Sequence, residues 1–199
     1  MKTGIFGGSF DPVHNGHINA AKTFLEEMNP DRLLIIPNFL PPHKDAPQLA
    51  PAEDRLAMCR IAFAGDPRIE VSDLEIRRGG PSYTSDTLEE LSELYPEDEF
   101  CLLVGGDMLL SFEDWHNWHR IAERAVLVCV PRTWEEESAL TAKAGELMSE
   151  GAEVRILPTD VCEISSTQIR EKVREGEDIS YAVPEDVAEY IWEHGLYCL

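Results

Sequence analysis

The chain has 199 residues, with 38 Asp and Glu against 17 Lys and Arg, a formal charge of −21. So large an acidic excess argues against a general nucleic-acid binder, which needs a basic stripe to displace counterions from phosphates, and against attachment to an anionic membrane surface. At 43% hydrophobic and 8% aromatic, the composition is that of a folded protein, not of a disordered acidic tail.

In chain order, Lys2–Phe6 predicts a short strand ending at Gly7-Gly8, and His17–Met28 a helix with apolar spacing through Ile18, Ala21, Phe24, Leu25 and Met28. Arg32–Pro37 predicts a strand, Asn38–Pro51 a proline-rich loop and Pro51–Phe63 a helix. Ile69–Ser72 and Glu75–Arg77 are expected as short strands. Gly79-Gly80-Pro81 then makes a turn, and Ser85–Leu94 a helix capped near Ser85 or Asp86. Glu99–Val104 is the next buried strand, followed by a short helix through Leu110, a tryptophan-rich loop or helix at Trp115–Trp118, and the strand Ala125–Val130. The remainder predicts a helix at Thr133–Glu150, a strand at Glu153–Leu157, and closing helices at Ser166–Glu175 and Pro184–His194, with Gly195 just past the last. Strands alternating with helices imply an α/β fold, a doubly wound parallel sheet covered on both faces.

The length is that of one domain over residues 1–199, with a helical part from about residue 160 packed on the rest. No apolar run reaches the ~18 residues of a membrane span, and Asp11 interrupts the start before a signal-peptide core could form, so a cytoplasmic address is expected. Five cysteines without a CxxC pair indicate neither a disulfide framework nor a zinc knuckle; Cys101 and Cys129, inside apolar runs, read as buried free thiols.

In an open parallel sheet, ligands bind beyond the carboxyl ends of the strands, which directs attention to Gly7-Gly8-Ser9-Phe10-Asp11-Pro12-Val13-His14-Asn15-Gly16-His17. Neither the dinucleotide GxGxxG nor the phosphate-loop spacing is present. The glycines permit close backbone approach, and His14 and His17, three apart at a helix start, can face one bound group beside amides that favour an anion. Zinc ligation by this pair lacks a third ligand at recognisable spacing, and two plain surface histidines are the bland alternative. A second string, Ile164-Ser165-Ser166-Thr167-Gln168-Ile169-Arg170, sets hydroxyls at a helix start, which alone is the ordinary look of a cap. By themselves Lys44 would be a solvated loop lysine, Asp107 a helix cap, and Trp115 and Trp118 half-buried packing residues.

Together the strings carry more. The first closely resembles the HxGH signature of the nucleotidylyltransferase superfamily, in the GGSFDPxHxGH form of bacterial nicotinate mononucleotide adenylyltransferases. The second is similar to that family's ISSTxIR motif, Pro41-Pro42-His43-Lys44 to its PPHK string, Gly105-Gly106-Asp107-Met108-Leu109 with Trp115 to its GxDxL…W segment, and Ser82–Leu88 to its SYTxDTL stretch. The resemblance implies a Rossmann-like nucleotidylyltransferase fold and transfer of AMP from ATP to nicotinate mononucleotide, giving deamido-NAD and pyrophosphate. It places catalytic contacts at His14, His17, Lys44 and Arg170. ATP contacts fall at Gly7, Gly8, Ser9, Phe10, His14, Gly16, His17, Gly105, Asp107, Arg132, Ile164, Ser165, Ser166, Thr167 and Arg170. Contacts to the second substrate fall at Ser9, Lys44, Thr84, Asp107 and Trp115, with Asp107 on a ribose, Trp115 on the pyridine ring and Thr84 at the nicotinate carboxylate. Arg132 is followed by Thr133 where the family usually has proline.

Because the attacking phosphate belongs to the substrate and is already ionised at neutral pH, no protein nucleophile is required. Mg²⁺ is expected on ATP, held by phosphates and water, with no dedicated protein metal site. ATP and nicotinate mononucleotide are the expected partners, with no nucleic-acid polymer and no membrane; a homo-oligomer stays open. A phosphopantetheine adenylyltransferase would share the first motif but not the SYTxDTL stretch or the Asp107–Trp115 segment. A catalytically silent nucleotide-binding regulator would not need His14, His17, Lys44 and Arg170 all intact, and an acidic interaction protein would explain the charge but none of the motifs. Residues 1–44 carry four Lys and Arg against four Asp and Glu, so the whole acidic excess lies beyond them. Outer helix faces, including Glu135–Glu137 and the run from Glu171 to Glu193, are expected to hold much of it, leaving phosphate binding to a few local donors.

Overall fold

A computed structural model of the protein describes residues 1–42, 49–131, 137–158 and 164–198. The strands are β1 (Lys2–Gly8), β2 (Arg32–Pro37), β3 (Ile69–Val71), β4 (Glu99–Gly105), β5 (Ala125–Val130) and β6 (Val154–Ile156). The α-helices are α1 (Asn15–Met28), α2 (Ala52–Ala62), α3 (Leu74–Arg78), α4 (Thr84–Leu94), α5 (Gly106–Leu110), α6 (Trp118–Arg124), α7 (Glu137–Ser149), α8 (Ser166–Arg174) and α9 (Glu185–Glu193). A 3-10 turn at Phe112–Asp114 separates α5 from α6. The strands form one sheet in the order β3-β2-β1-β4-β5-β6, with every pairing parallel. This is a Rossmann-like parallel sheet, as the alternation of strands and helices implies.

The period-2 pattern of the strands sorts their side chains into two cores. Phe6, Leu33, Ile35, Cys101, Leu103, Val128 and Val130 project to one face, where Phe24 and Leu25 of α1, Met58 and Cys59 of α2, Ile169 and Val173 of α8, and Val187 and Ile191 of α9 cover them. Ile5, Leu34, Ile36, Phe100, Leu102, Val104, Leu127 and Cys129 project to the other, against Leu74 of α3, Leu88 and Leu91 of α4, Leu109 of α5, Ile121 of α6, and Leu140 and Leu147 of α7. Both faces being dry, the strands read as continuous apolar runs. Gly4 sets the closest approach: a Cβ there would lie 2.4 Å from the Phe24 ring, so α1 rests directly on β1. Emptying that contact by Phe24→Ala would cost roughly 3–5 kcal/mol.

Several expectations are corrected. Glu75–Arg77 is not a strand: Leu74–Arg78 forms α3, because Leu74 and Glu75 are both buried on one side of a turn, which strand alternation does not allow. Helix α4 starts at Thr84 with Tyr83 in the cap position and no side-chain cap bond; Ser85 is buried and its hydroxyl turns to Asp86 instead. β1 and β4 run one or two residues further than predicted, through Gly8 and Gly105, since glycine without a side chain still completes the parallel ladder with Pro37 and Val130. The expected start of a helix at Thr133 falls outside the described residues, within which α7 begins at Glu137. Cys59, Cys101 and Cys129 are buried and form no disulfide, as their apolar surroundings predict for the latter two. Glu171, Glu175, Glu177, Glu185, Glu189 and Glu193 all face solvent. No helix among the described residues is long and apolar enough to cross a membrane.

Candidate functional site

The order of the strands reverses between β1 and β4, both of which pair with each other and with partners on opposite sides. Loops leaving their carboxyl ends therefore diverge to opposite faces and open a crevice. A cleft of about 1070 Å³ occupies that position. Of the sequence-predicted residues, Gly7, Gly8, Ser9, Phe10, His14, Gly16, His17, Thr84, Gly105, Asp107, Trp115, Ile164, Ser165, Ser166, Thr167 and Arg170 all line it. Lys44 and Arg132 lie outside the described residues.

The first wall is the turn from β1 into α1. Gly7 is exposed, and the nearest atom to a Cβ built on it is 4.0 Å away, so a side chain there would stand in the cleft. Phe10 turns back with φ 47° and buries its ring 5.3 Å edge-to-face from Phe6 and 5.0 Å from the His17 ring, so only its backbone remains for a ligand. His14 sits at the cap position of α1, and its backbone N–H donates to Nδ1 of His17 at 3.2 Å. That bond leaves Nε2 as the protonated nitrogen of a neutral His17. The two imidazoles lie with centroids 3.7 Å apart, converging on one place as their spacing predicts.

The second wall, α8, docks on the first. The Ser166 hydroxyl donates to the Pro12 carbonyl at 3.1 Å, and Nη1 of Arg170 donates to the Asp11 carbonyl at 2.7 Å. Ser165 occupies the cap position without a side-chain cap bond, so the ordinary capping explanation of Ser165-Ser166-Thr167 does not account for these hydroxyls. The backbone amides that open α8 and α1 thus face the same cleft as both histidines and Arg170, which is an arrangement suited to an anion.

Across the crevice, Thr84 opens α4 and Asp107 lies in the first turn of α5. Trp115 packs 5.3 Å from Phe112 and lines the cleft, whereas Trp118 stacks on His119 at 3.7 Å and does not. Their similar sequence appearance hides this difference; between them the backbone turns at Asn117, φ 55°. The Tyr83 and His116 rings lie tilted against each other with centroids 4.4 Å apart, Tyr83 preceding Thr84. Below them Glu75, 6% exposed, accepts from the Thr87 hydroxyl at 2.6 Å, and Arg78 donates to the same Thr87 oxygen at 2.9 Å. Burial pushes the Glu75 carboxyl above the ordinary range, against the pull of Thr87, Ser82 and Arg78.

Two supporting residues escape the sequence reading. Arg55, 1% exposed on α2, spends its guanidinium on carbonyls: Nε donates to Ala50 O, Nη1 to Ser9 O and Asn38 Oδ1, and Nη2 to Asn38 O and Phe39 O, at 2.7–3.3 Å. It ties the loop after β1 to the loop after β2. Burial lowers its pKa, with Asp11 acting in the opposite direction. The available signal is its place one turn before the apolar Met58 and Cys59, on the buried stripe of α2. Asp11 itself, 2% exposed, accepts at Oδ1 from Ala50 N at 3.0 Å and from the Tyr197 hydroxyl at 2.8 Å. Nothing local to Asp11 announces partners 39 and 186 positions away.

The cytidylyltransferase-like family model matches residues 5–172. A Thermus thermophilus protein described as "Probable nicotinate-nucleotide adenylyltransferase" is 43% identical over 199 residues, covering 99% of this chain and 100% of that one. A Geobacillus kaustophilus protein of the same description is 40% identical over 196 residues, covering 98% of this chain and 86% of its own. Among solved structures, Plasmodium falciparum nicotinic acid mononucleotide adenylyltransferase complexed with NaAD superposes with a TM-score of 0.80 at 19% identity, over 99% of this chain and 98% of that one. With the motifs brought to one cleft on this sheet, and with full-length relatives at such identities, the chain belongs to the nicotinate-nucleotide adenylyltransferase family of cytidylyltransferase-like proteins.

Proposed function

We propose that the protein transfers AMP from ATP to nicotinate mononucleotide, yielding deamido-NAD and pyrophosphate. The observation that carries this reading is the convergence of His14, His17, Ser165, Ser166, Thr167 and Arg170 with Thr84, Asp107 and Trp115 on one cleft of about 1070 Å³, room for two nucleotides side by side. A phosphate oxygen of nicotinate mononucleotide attacks the α-phosphorus of ATP in line. The bond from that phosphorus to the bridging oxygen breaks, and pyrophosphate leaves with the electron pair. His14, His17 and Arg170, with the amides at the starts of α1 and α8, stabilise the charge that grows on the leaving group, the larger part of such catalysis. Holding both substrates in line supplies the rest. Lys44 and Arg132 are assigned to the phosphates and the adenosine from the family's motifs.

Mg²⁺ enters as part of the substrate, on the ATP phosphates. The protein's share is to bind the magnesium nucleotide through its phosphates. On the other side of the crevice Trp115 stacks on the pyridine ring, Asp107 accepts from a ribose hydroxyl, and the first turn of α4 at Thr84 receives the nicotinate carboxylate. Incubation with MgATP and nicotinate mononucleotide, followed by mass analysis, is expected to give deamido-NAD and pyrophosphate in equal amounts. Pyrophosphate formed only with 4′-phosphopantetheine, or with no acceptor at all, contradicts this assignment.

A further inference from the structure

Past α9 the chain reverses: Gly195 takes φ 59° and the Leu196 N–H returns to the Ile191 carbonyl at 3.0 Å, a Schellman-type stop. The reversal delivers Tyr197 onto the first core, with φ 63°, a conformation a bulky L-residue adopts only when its surroundings compel it. Its hydroxyl donates to Asp11 Oδ1 at 2.8 Å. The Ala50 N–H donates to the same oxygen. Asp11 Oδ2, by contrast, is buried and accepts no hydrogen bond among the described residues, although Nη1 of Arg170 stands 3.7 Å away. That guanidinium donates instead to the Asp11 backbone carbonyl and the Thr167 hydroxyl.

A buried carboxylate beside the intended phosphate site is a hazard, because it would neutralise the one Lys or Arg that lines the cleft among the described residues. A hydroxyl can satisfy a carboxylate without consuming a cation. We infer that Tyr197 is a positioning residue: its hydroxyl holds the Asp11 carboxylate by Oδ1, so that Oδ2 pairs with Nη1 of Arg170 only loosely, at 3.7 Å and without a hydrogen bond, and the guanidinium is not drawn away from the ATP phosphates. The inference rests on the reading of Arg170 as a phosphate contact. Without the hydroxyl, Asp11 Oδ1 keeps one hydrogen-bond donor among the described residues, the Ala50 N–H, and the carboxylate is free to swing toward the Arg170 guanidinium 3.7 Å from Oδ2.

Tyr197→Phe keeps the ring and its packing and removes only the donor. Hydrogen bonds to charged groups are strong enough that KM for MgATP should rise about five- to ten-fold. KM for nicotinate mononucleotide should stay within about two-fold, and Tm within about 5 °C. A cycle with Arg170→Ala separates positioning from plain packing: once Arg170 is gone, adding Tyr197→Phe should change KM for MgATP by less than about two-fold. Unchanged ATP affinity in Tyr197→Phe, while Arg170→Ala alone weakens it, overturns the role of Tyr197. So does an equal effect of Tyr197→Phe in both backgrounds, or a parallel rise in both KM values with a large loss of Tm. No effect of Arg170→Ala on ATP overturns the reading of Arg170 itself.

Discussion

At the amino ends of β1, β2 and β4 the polar groups close on one another. The buried Thr3 hydroxyl donates to Asp98 Oδ2 at 2.7 Å and accepts from Arg32 Nε at 3.0 Å; Arg32 Nη2 reaches the same Asp98 oxygen at 2.9 Å, and the guanidinium lies 3.9 Å over the Tyr95 ring. The N-terminal ammonium takes the other oxygen, at 3.2 Å. At the carboxyl ends of β1 and β4 the same kinds of groups face a cleft: paired imidazoles, helix-start amides, and an arginine resting on a backbone carbonyl with a carboxylate oxygen 3.7 Å away. Mutual satisfaction makes the first end a fastening. Side chains gathered around an open cleft make the second a site.

The comparison breaks first at His17. His17→Ala should lower kcat on the order of 10²- to 10³-fold, as loss of one preorganised donor does, while a thermal melt stays within a few degrees of wild type; retained turnover in a steady-state pyrophosphate assay would end its role. Next comes Arg55, which belongs to the cleft end yet has no donor to spare. Arg55→Met should destabilise by about 3 kcal/mol in urea, because five buried carbonyl contacts lose their partner, and should lower activity as the two loops part. Wild-type stability in that variant would remove Arg55 as the link between them.

Asp98→Asn tests the fastening. It should cost about 1–2 kcal/mol with kcat unchanged. Burial pushes the Asp98 carboxyl up, but hydrogen bonds from Thr3, the N-terminus and Arg32 outweigh it and hold the group below its ordinary range. A depressed carboxylate contributes stability that is present above the unfolded value near ~3.9 and lost as pH falls through the folded one. The gap between wild type and Asp98→Asn should therefore hold from about pH 5 to 8 and narrow below about pH 4; a gap that widens in acid contradicts the network. The smallest effect separates two tryptophans: Trp115→Ala should raise KM for nicotinate mononucleotide about ten-fold, and Trp118→Ala should leave it within about two-fold. Equal effects would mean that lining the cleft does not distinguish them.

Much of this architecture is legible because both faces of the sheet are dry. Apolar runs such as Arg32–Pro37 and Ala125–Val130 mark strands to the residue. The segment at Glu75 misleads because a buried carboxylate satisfied by Thr87 breaks both helical and strand patterns, and its partner lies 12 positions away. The cleft lining is legible wherever a local string carries it, from Gly7 to His17 and from Ile164 to Arg170. Arg55 and Tyr197 are not, since each acts on a loop far off in sequence and looks, locally, like a surface charge and a chain-end aromatic. The acidic excess also changes meaning: on the outer faces of α8 and α9 it is solvated, so on the proposed function His14, His17, Lys44, Arg170 and the helix-start amides would meet the phosphates against the field of the whole chain.

On the proposed function the cleft takes two nucleotides, one carrying a carboxylate at the start of α4. The most direct measurement compares kcat/KM for nicotinate mononucleotide and nicotinamide mononucleotide by pyrophosphate release from MgATP. A preference for the acid of at least about ten-fold is expected from losing a charged partner at a helix start in a partly buried cleft. Equal values for acid and amide would contradict the account.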